Sequence, residues 1–119
     1  MPNVSIQNNN LVVTMTGLRR IFTLRKELSF PLGSVKGVTH DPTISSDYPS
    51  GWEKRKGTNV FRTYYGGTFR KNGEQIFWDV LKPENTIVVT LQDQEFQRLI
   101  IEVDDPKEAV QMIEQAINH

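Results

Sequence analysis

The stretch that decides the fold is DDPKEAVQMIEQAI, residues 104–117, close to the end of the chain. Asp105 is placed to act as an N-cap, because its carboxylate can accept hydrogen bonds from the free N–H groups of a first helical turn. Pro106 then takes the first helical position, where a missing N–H costs nothing, and Glu108 favours the positive end of the helix. Apolar residues follow with helical spacing at Ala109, Val110, Ile113, Ala116 and Ile117. The stretch predicts an amphipathic helix that packs on a sheet.

The chain before this helix is a succession of short segments typical of β-strands. Residues 11–15 are rich in β-branched side chains. Residues 28–32 alternate around Pro31, which marks an edge or irregular strand. The segment 87–89 is apolar without any charge, so we expect it inside a sheet rather than at an edge. Further strands are predicted over residues 35–40, 60–65, 68–70, 75–80, 86–91 and 96–103.

Three groups of turn-forming residues lie among these strands. Residues 8–10 are consecutive asparagines and predict a turn. Residues 72–73, Asn-Gly, are the strongest hairpin signal, because both tolerate the positive φ of a type I′ turn. The pair Gly66-Gly67 indicates a bulge or sharp bend within a strand. We expect the resulting core to contain Leu11, Val13, Phe30, Leu32, Phe69, Phe77, Val89, Leu99, Ile101, Val110, Ile113 and Ile117.

Two segments interrupt the strand pattern. Leu18, Ile21 and Phe22 have helical spacing, which predicts a short helical insert near residues 18–24. Residues 42–58 show no periodicity, and irregular stretches of this length are often functional or mobile.

Length and composition suit one domain, residues 1–119, with one core. The chain has no cysteine, which excludes a disulfide framework and favours a reducing compartment. The first residues lack a secretory signal pattern, and no apolar run approaches the length of a membrane span. We therefore expect a cytoplasmic protein.

Charge is balanced overall but divided unevenly along the chain. Residues 1–71 carry eleven Lys and Arg against four Asp and Glu, whereas residues 72–119 carry three against ten. A basic half can indicate nucleic acid or anionic membrane as a partner. The alternative is that the two halves interleave in one small domain, so that basic and acidic strands are neighbours. We favour the second interpretation.

Several turn and core motifs carry a resemblance to a known family. They are LVV at 11–13, GLRR at 17–20, FPL at 30–32, GT at 57–58, GGTF at 66–69, FWD at 77–79 and VDDP at 103–106. In these motifs, and over nearly its whole length, the chain resembles a bacterial pleckstrin-homology-like (PH-like) domain of an uncharacterised family. The resemblance implies a mainly β, partly open barrel of about seven antiparallel strands in two orthogonally packed sheets, capped by the C-terminal helix. It implies no reaction.

Two departures from eukaryotic members of that fold bear on ligand binding. Those members commonly bind phosphoinositide headgroups through a basic strand–loop–strand motif between their first two strands. Here the insert near residues 18–24 lengthens that connection, and the C-terminal helix lacks the tryptophan usual in the family. Lipid binding is therefore not carried over from the resemblance.

The sequence contains no recognisable catalytic, cofactor or metal motif. Its two histidines, His40 and His119, have no ligand spacing with each other or with a carboxylate, and we expect His40 at the surface. No serine lies in a nucleophile-elbow pattern, and no glycine-rich phosphate loop is present. Asp104 and Asp105 are better explained as helix-capping residues than as a catalytic pair. We expect a protein that is not an enzyme.

The best candidate interaction surface combines basic residues of the insert region and of the long loop with one tryptophan. It consists of Arg19, Arg20, Arg25, Lys26, Trp52, Lys54, Arg55 and Lys56. Such a set can meet phosphates, anionic lipid or an acidic protein surface. The competing interpretation, which we favour, is a solvated loop whose Trp52 anchors it to the sheet.

These observations predict a non-catalytic protein-binding or assembly module whose partner is an unknown protein. The main alternative is a peripheral binder of anionic membrane that uses the two basic clusters, and an enzyme of unknown class comes third. Nucleic acid ranks lowest, because the chain lacks a basic isoelectric point and a spaced aromatic platform. A monomer and a homo-oligomer fit the sequence equally well.

Overall fold

A computed structural model of the protein describes residues 2–17, 23, 25–44, 53–58 and 65–118, with only the backbone described for 53–58 and for Lys71. Nine strands and one α-helix lie in this part of the chain. They are β1 (Asn3–Gln7), β2 (Asn10–Thr14), β3 (Glu27–Pro31), β4 (Val35–His40), β5 (Glu53–Thr58), β6 (Tyr65–Lys71), β7 (Glu74–Val80), β8 (Thr86–Leu91), β9 (Arg98–Glu102) and α1 (Pro106–Ile117). The chain is therefore mainly β, as predicted.

The strands form two open sheets. The smaller sheet has the order β1-β2-β3, and the larger has the order β4-β8-β9-β7-β6-β5. The edge position of β3, which ends at Pro31, and the interior position of β8 confirm the predictions for these strands. The expectation of about seven antiparallel strands needs correction, because the described residues contain nine strands and β7 runs parallel to β9.

The parallel pair has a simple origin in the connections. Residues 81–85 carry the chain from β7 to β8, two strand positions away in the sheet, which is a span of roughly 10 Å. The antiparallel strand β9 then returns into the gap between β8 and β7. Two parallel neighbouring strands need a long connection between them. Here β8 and its two loops form the connection between β7 and β9.

A buried carboxylate secures this short connection. Glu102, at the end of β9, is 1% exposed. Its Oε1 accepts hydrogen bonds from the N–H groups of Leu81 at 2.9 Å and Lys82 at 3.2 Å. Val103 N–H also donates to the Asn85 carbonyl oxygen at 3.1 Å. The end of β9 and the residue after it thus bond to three backbone groups of the crossover, which fastens the connection to the sheet.

Two hairpins have the turns that the sequence predicts. Asn72 and Gly73 both have positive φ, 54° and 83°, as a type I′ turn requires. Asn8 and Asn9, at φ 52° and 65°, make the corresponding turn between β1 and β2. Asn10 is already the first residue of β2.

Of the bulge or sharp bend predicted at Gly66-Gly67, the bulge is wrong, because β6 pairs with β7 in unbroken register through both glycines. Gly67, at φ 120°, lies opposite Trp78. The indole makes edge contacts with the rings of Tyr65 and Phe69, at centroid distances of 6.0 and 6.4 Å. These two aromatics flank Gly67 on the same face, so a glycine there leaves room for the Trp78 ring.

The larger sheet buries apolar side chains on both faces. One face, with the smaller sheet and α1, forms a cluster that includes Leu11, Val13, Phe30, Phe77, Val89, Leu99, Ile101 and Ile113, with Leu32, Val110 and Ile117 at its margin. This confirms most of the predicted core. Phe69 belongs instead to a second cluster on the opposite face, with Ile76, Trp78, Val80 and Ile100. Burial on two faces explains why β7 and β9 have continuous apolar runs without alternation.

The helix begins and packs as its sequence predicts. The Asp105 carboxylate accepts a hydrogen bond from Glu108 N–H at 3.1 Å, and Pro106 is the first helical residue. Ile113 is fully buried. The helix packs mainly on β4, at one edge of the larger sheet.

Three local predictions have mixed outcomes. The strand over residues 35–40 is confirmed by β4. The irregular segment 42–58 is wrong over its last part, where β5 pairs with β6. The helical insert near 18–24 and most of the strand 60–65 lie outside the described residues.

Candidate interaction surface

Basic residues collect at one edge of the larger sheet. Its last two strands contain five basic residues against one acidic residue, Glu53, whereas the other four strands contain two basic and three acidic residues. We call the five the basic edge: Lys54, Arg55, Lys56, Arg70 and Lys71. The expected neighbouring of basic and acidic strands holds where β6 adjoins β7, whose charged residues are Glu74 and Asp79. It does not hold at the outer edge, where β5 pairs with the basic strand β6.

The helix lies near the opposite edge of the same sheet. Residues 104–117 contain four acidic residues and one basic residue, Lys107, and α1 contacts β4, the strand farthest from β5 in the sheet order. The molecule is therefore charged asymmetrically across the larger sheet. Such an asymmetry orients an oppositely charged partner during its approach.

The strand β5 is the outermost strand of this sheet in the described part of the chain. Its register with β6 runs from Glu53 opposite Arg70 to Thr58 opposite Gly66, and it shifts between Lys54 and Lys56. A register shift on an edge strand twists the edge, so that only segments able to follow the twist can pair with it. The consecutive charged residues Glu53 to Lys56 also restrict which segments can pair with this strand.

Arg25, a residue predicted to face a ligand, is instead engaged within the protein. Its guanidinium lies 2.6 Å from a carboxylate oxygen of Glu95 and 5.4 Å from the centroid of the Phe96 ring. The pair ties the segment before β3 to the loop between β8 and β9. The neighbouring Lys26 is exposed, and its carbonyl oxygen accepts a hydrogen bond from Met15 N–H at 2.9 Å.

The structure places Arg25 and the basic edge at the same end of the larger sheet. The Glu95 carbonyl oxygen accepts a hydrogen bond from Gln75 Nε2 at 3.3 Å, and Gln75 is the register partner of Arg70 on β6. Arg70 is exposed, and it makes no ion pair with another described residue. At this end, Arg25 is paired with a described carboxylate, whereas Arg70 is exposed and pairs with none.

The remaining predicted surface residues, Arg19, Arg20 and Trp52, lie outside the described residues, so the anchoring of Trp52 stays a prediction. Sequence reasoning missed Arg70 and Lys71. A sequence signal for them existed, since they directly precede the Asn-Gly hairpin turn, but only the order of the strands places them beside β5.

Three residues considered above as candidates for chemistry, His40, Asp104 and Asp105, are exposed. His40 is exposed at the end of β4, as predicted, with Nε2 2.8 Å from the Glu84 carbonyl oxygen. The Asp104, Asp105 and Glu108 side chains line a cavity of about 350 Å³ at the start of α1, where Asp105 acts as the cap. No group of three or more described His, Asp or Glu residues is arranged to hold a metal ion.

No described helix is long and apolar enough to cross a membrane. Comparisons of the chain with protein-family models, with curated proteins and with solved structures found no match. The charge and geometry of the basic edge are therefore the basis for a functional proposal.

Proposed function

We propose that the protein is a non-catalytic binding module that meets an acidic surface of a partner protein through its basic edge. The observation that carries this proposal is the concentration of five basic residues against one acidic residue on two adjacent strands at the outside of the larger sheet. Like charges gathered at one edge raise the rate of encounter with an acidic surface and select against basic ones.

A PH-like fold is part of the same proposal. The two β-sheets and the C-terminal helix that packs on the core support it. The parallel pairing of β7 with β9 departs from the all-antiparallel arrangement that the resemblance implies. A cytoplasmic location, proposed from the cysteine-free composition, suits a module of this kind.

Arg25 favours a protein partner over an anionic membrane. The membrane interpretation uses two basic clusters at once, and the charge of Arg25 in the first cluster is compensated by Glu95 at 2.6 Å. Lipid headgroups offer a broad layer of charge that rewards several free cations over a wide face. A basic surface confined to two strands is better matched by a small acidic surface on a protein.

The test is a binding titration with labelled poly-L-glutamate, accompanied by sedimentation with phosphatidylserine vesicles and with neutral vesicles. The variant K54E/R55E/K56E reverses three charges on β5. The control K36E/K82E/K107E reverses three exposed charges elsewhere. Because the attraction is electrostatic, we expect the β5 variant to bind poly-L-glutamate about tenfold more weakly, and the control to stay within about twofold.

Two outcomes would overturn the proposal. Equal weakening by both triple variants would mean that only net charge matters and that the basic edge is not a site. Strong recovery with phosphatidylserine vesicles, together with no binding of poly-L-glutamate, would replace the protein partner with a membrane surface.

A further inference from the structure

Among the described residues, no strand pairs with the outer side of β5. In the described part of the chain β5 pairs only with β6, as the last strand of the six-stranded order. Edge strands present a row of N–H and C=O groups that can pair with another chain. Proteins use this property to bind extended peptides, whose main-chain hydrogen bonds supply affinity while their side chains supply specificity.

Glycines at one end of β5 support close approach of another backbone. Gly57 lies opposite Gly67, and Thr58 lies opposite Gly66. Trp78 accounts for Gly67, but it lies on β7, two strands from β5, and so does not account for Gly57. A glycine within a strand often marks a place where a second backbone comes near. The Gly57–Gly67 pair also provides no cross-strand side-chain contact, which is the main source of stability between strands.

The charge of β5 selects what can pair with it. Antiparallel pairing with β5 of a second copy, about the centre of the strand, places Arg55 opposite Lys56. Like charges directly opposite each other destabilise a sheet, so a second copy is a poor occupant. An acidic strand brings opposite charges together instead. The shift between Lys54 and Lys56 further restricts which segments fit.

We infer that the partner contributes an extended acidic segment that adds to β5 as a seventh strand of the larger sheet. This inference rests on the proposed function and specifies how the acidic partner is held. Backbone hydrogen bonds hold the segment in place, and its acidic residues lie along the strand that contains Lys54, Arg55 and Lys56. Charge then decides which segment binds, and the edge of the sheet decides its conformation.

The test compares three forms of one acetylated peptide that alternates glutamate with threonine or valine over about ten residues, enough to span a strand. One form is unmodified. The other two carry N-methyl groups on alternate backbone amides, each in one of the two possible frames. A peptide that adds as a strand uses only the amides that face β5, so methylation in one frame blocks pairing and methylation in the other frame does not.

We expect isothermal titration to show about tenfold weaker binding for one methylated frame and a change within about twofold for the other. We also expect the unmodified peptide to slow amide hydrogen exchange in β5, and not in β4, which is the opposite edge of the same sheet. K54E/R55E/K56E should lose binding of the unmodified peptide, whereas K36E/K82E/K107E should retain it. Circular dichroism of both variants checks that they fold.

The outcomes separate this inference from the proposed function. Equal binding of both methylated frames would overturn strand addition and leave the acidic-partner proposal standing. Slowed amide exchange at β4 instead of β5 would place the peptide at the opposite edge of the sheet, and this result too would overturn the inference. Absence of binding by the unmodified peptide and by poly-L-glutamate alike would overturn both.

Discussion

At the scale of single residues, the side chain with the largest structural consequence is one that the sequence does not single out. Glu102 is an ordinary charged residue at the end of an apolar strand, yet it is 1% exposed. Its carboxylate accepts the N–H groups of Leu81 and Lys82 across the crossover. Hydrogen bonds to a charged acceptor are stronger than those between neutral groups. Glu102 therefore links the end of β9 to the connection between β7 and β8.

We expect Glu102→Ala to lower the free energy of unfolding by about 1–3 kcal/mol, because two backbone N–H groups of the crossover lose their acceptor. Urea denaturation measures this. Glu84→Ala is the matched control, since Glu84 is an exposed glutamate on the same connection, and we expect a change within about 0.5 kcal/mol. If the two variants lose equal stability, the carboxylate does not hold the crossover.

At the scale of the elements, the C-terminal helix joins the two sheets into one core. Ile113 is fully buried in the cluster that also contains Leu11 and Val13 of the smaller sheet and Phe77 of the larger one. The helix is amphipathic, with Ala109 and Ile113 buried and Gln111 exposed. Isolated helices of this length are marginal in water, so packing supplies most of the stability.

We expect Ile113→Ala to cost about 2–5 kcal/mol of unfolding free energy, because it removes a fully buried side chain and leaves a cavity. Gln111→Ala, on the exposed side of the same helix, should change stability by no more than about 0.5 kcal/mol. Thermal and urea unfolding of both variants check this. A small loss at Ile113 would mean that the helix does not contribute to the shared core.

At the scale of the whole molecule, the basic edge protects the sheet as well as serving as the proposed site. The chain has no formal net charge, so long-range repulsion between copies is weak and local charge has to prevent association through open strands. Lysines on an edge strand are a common means of preventing such pairing. The uncharged segment Ile87–Val89 cannot pair with another copy, because β8 already pairs with β4 on one side and with β9 on the other.

We expect K54T/R55T/K56T to self-associate, because threonine favours strands and the variant lacks the repulsion between copies of β5. Light scattering over a concentration series should show a mass that rises for this variant. It should stay constant for K36T/K82T/K107T, which removes the same charge elsewhere. A constant mass for both variants would show that β5 needs no such protection.

The features of this protein that depend on neighbouring residues could be predicted from its sequence. The asparagine turns, the strand β4, the Asp105 cap and the spacing of Ala109 and Ile113 each involve interactions within a few positions, and each agrees with the structure. Most core residues were predicted for the same reason, since alternation and helical spacing are local patterns.

The order of the strands, and with it the candidate site, could not be predicted in this way. The segment EKRKGT has no local preference for a strand, and β5 forms because β6 pairs with it. Arg25 meets Glu95 seventy positions further along the chain, and Glu102 reaches back about twenty positions to the crossover. Such contacts follow from which strands become neighbours. That choice depends on long-range pairing and on burial of both faces of a sheet, which local patterns do not encode.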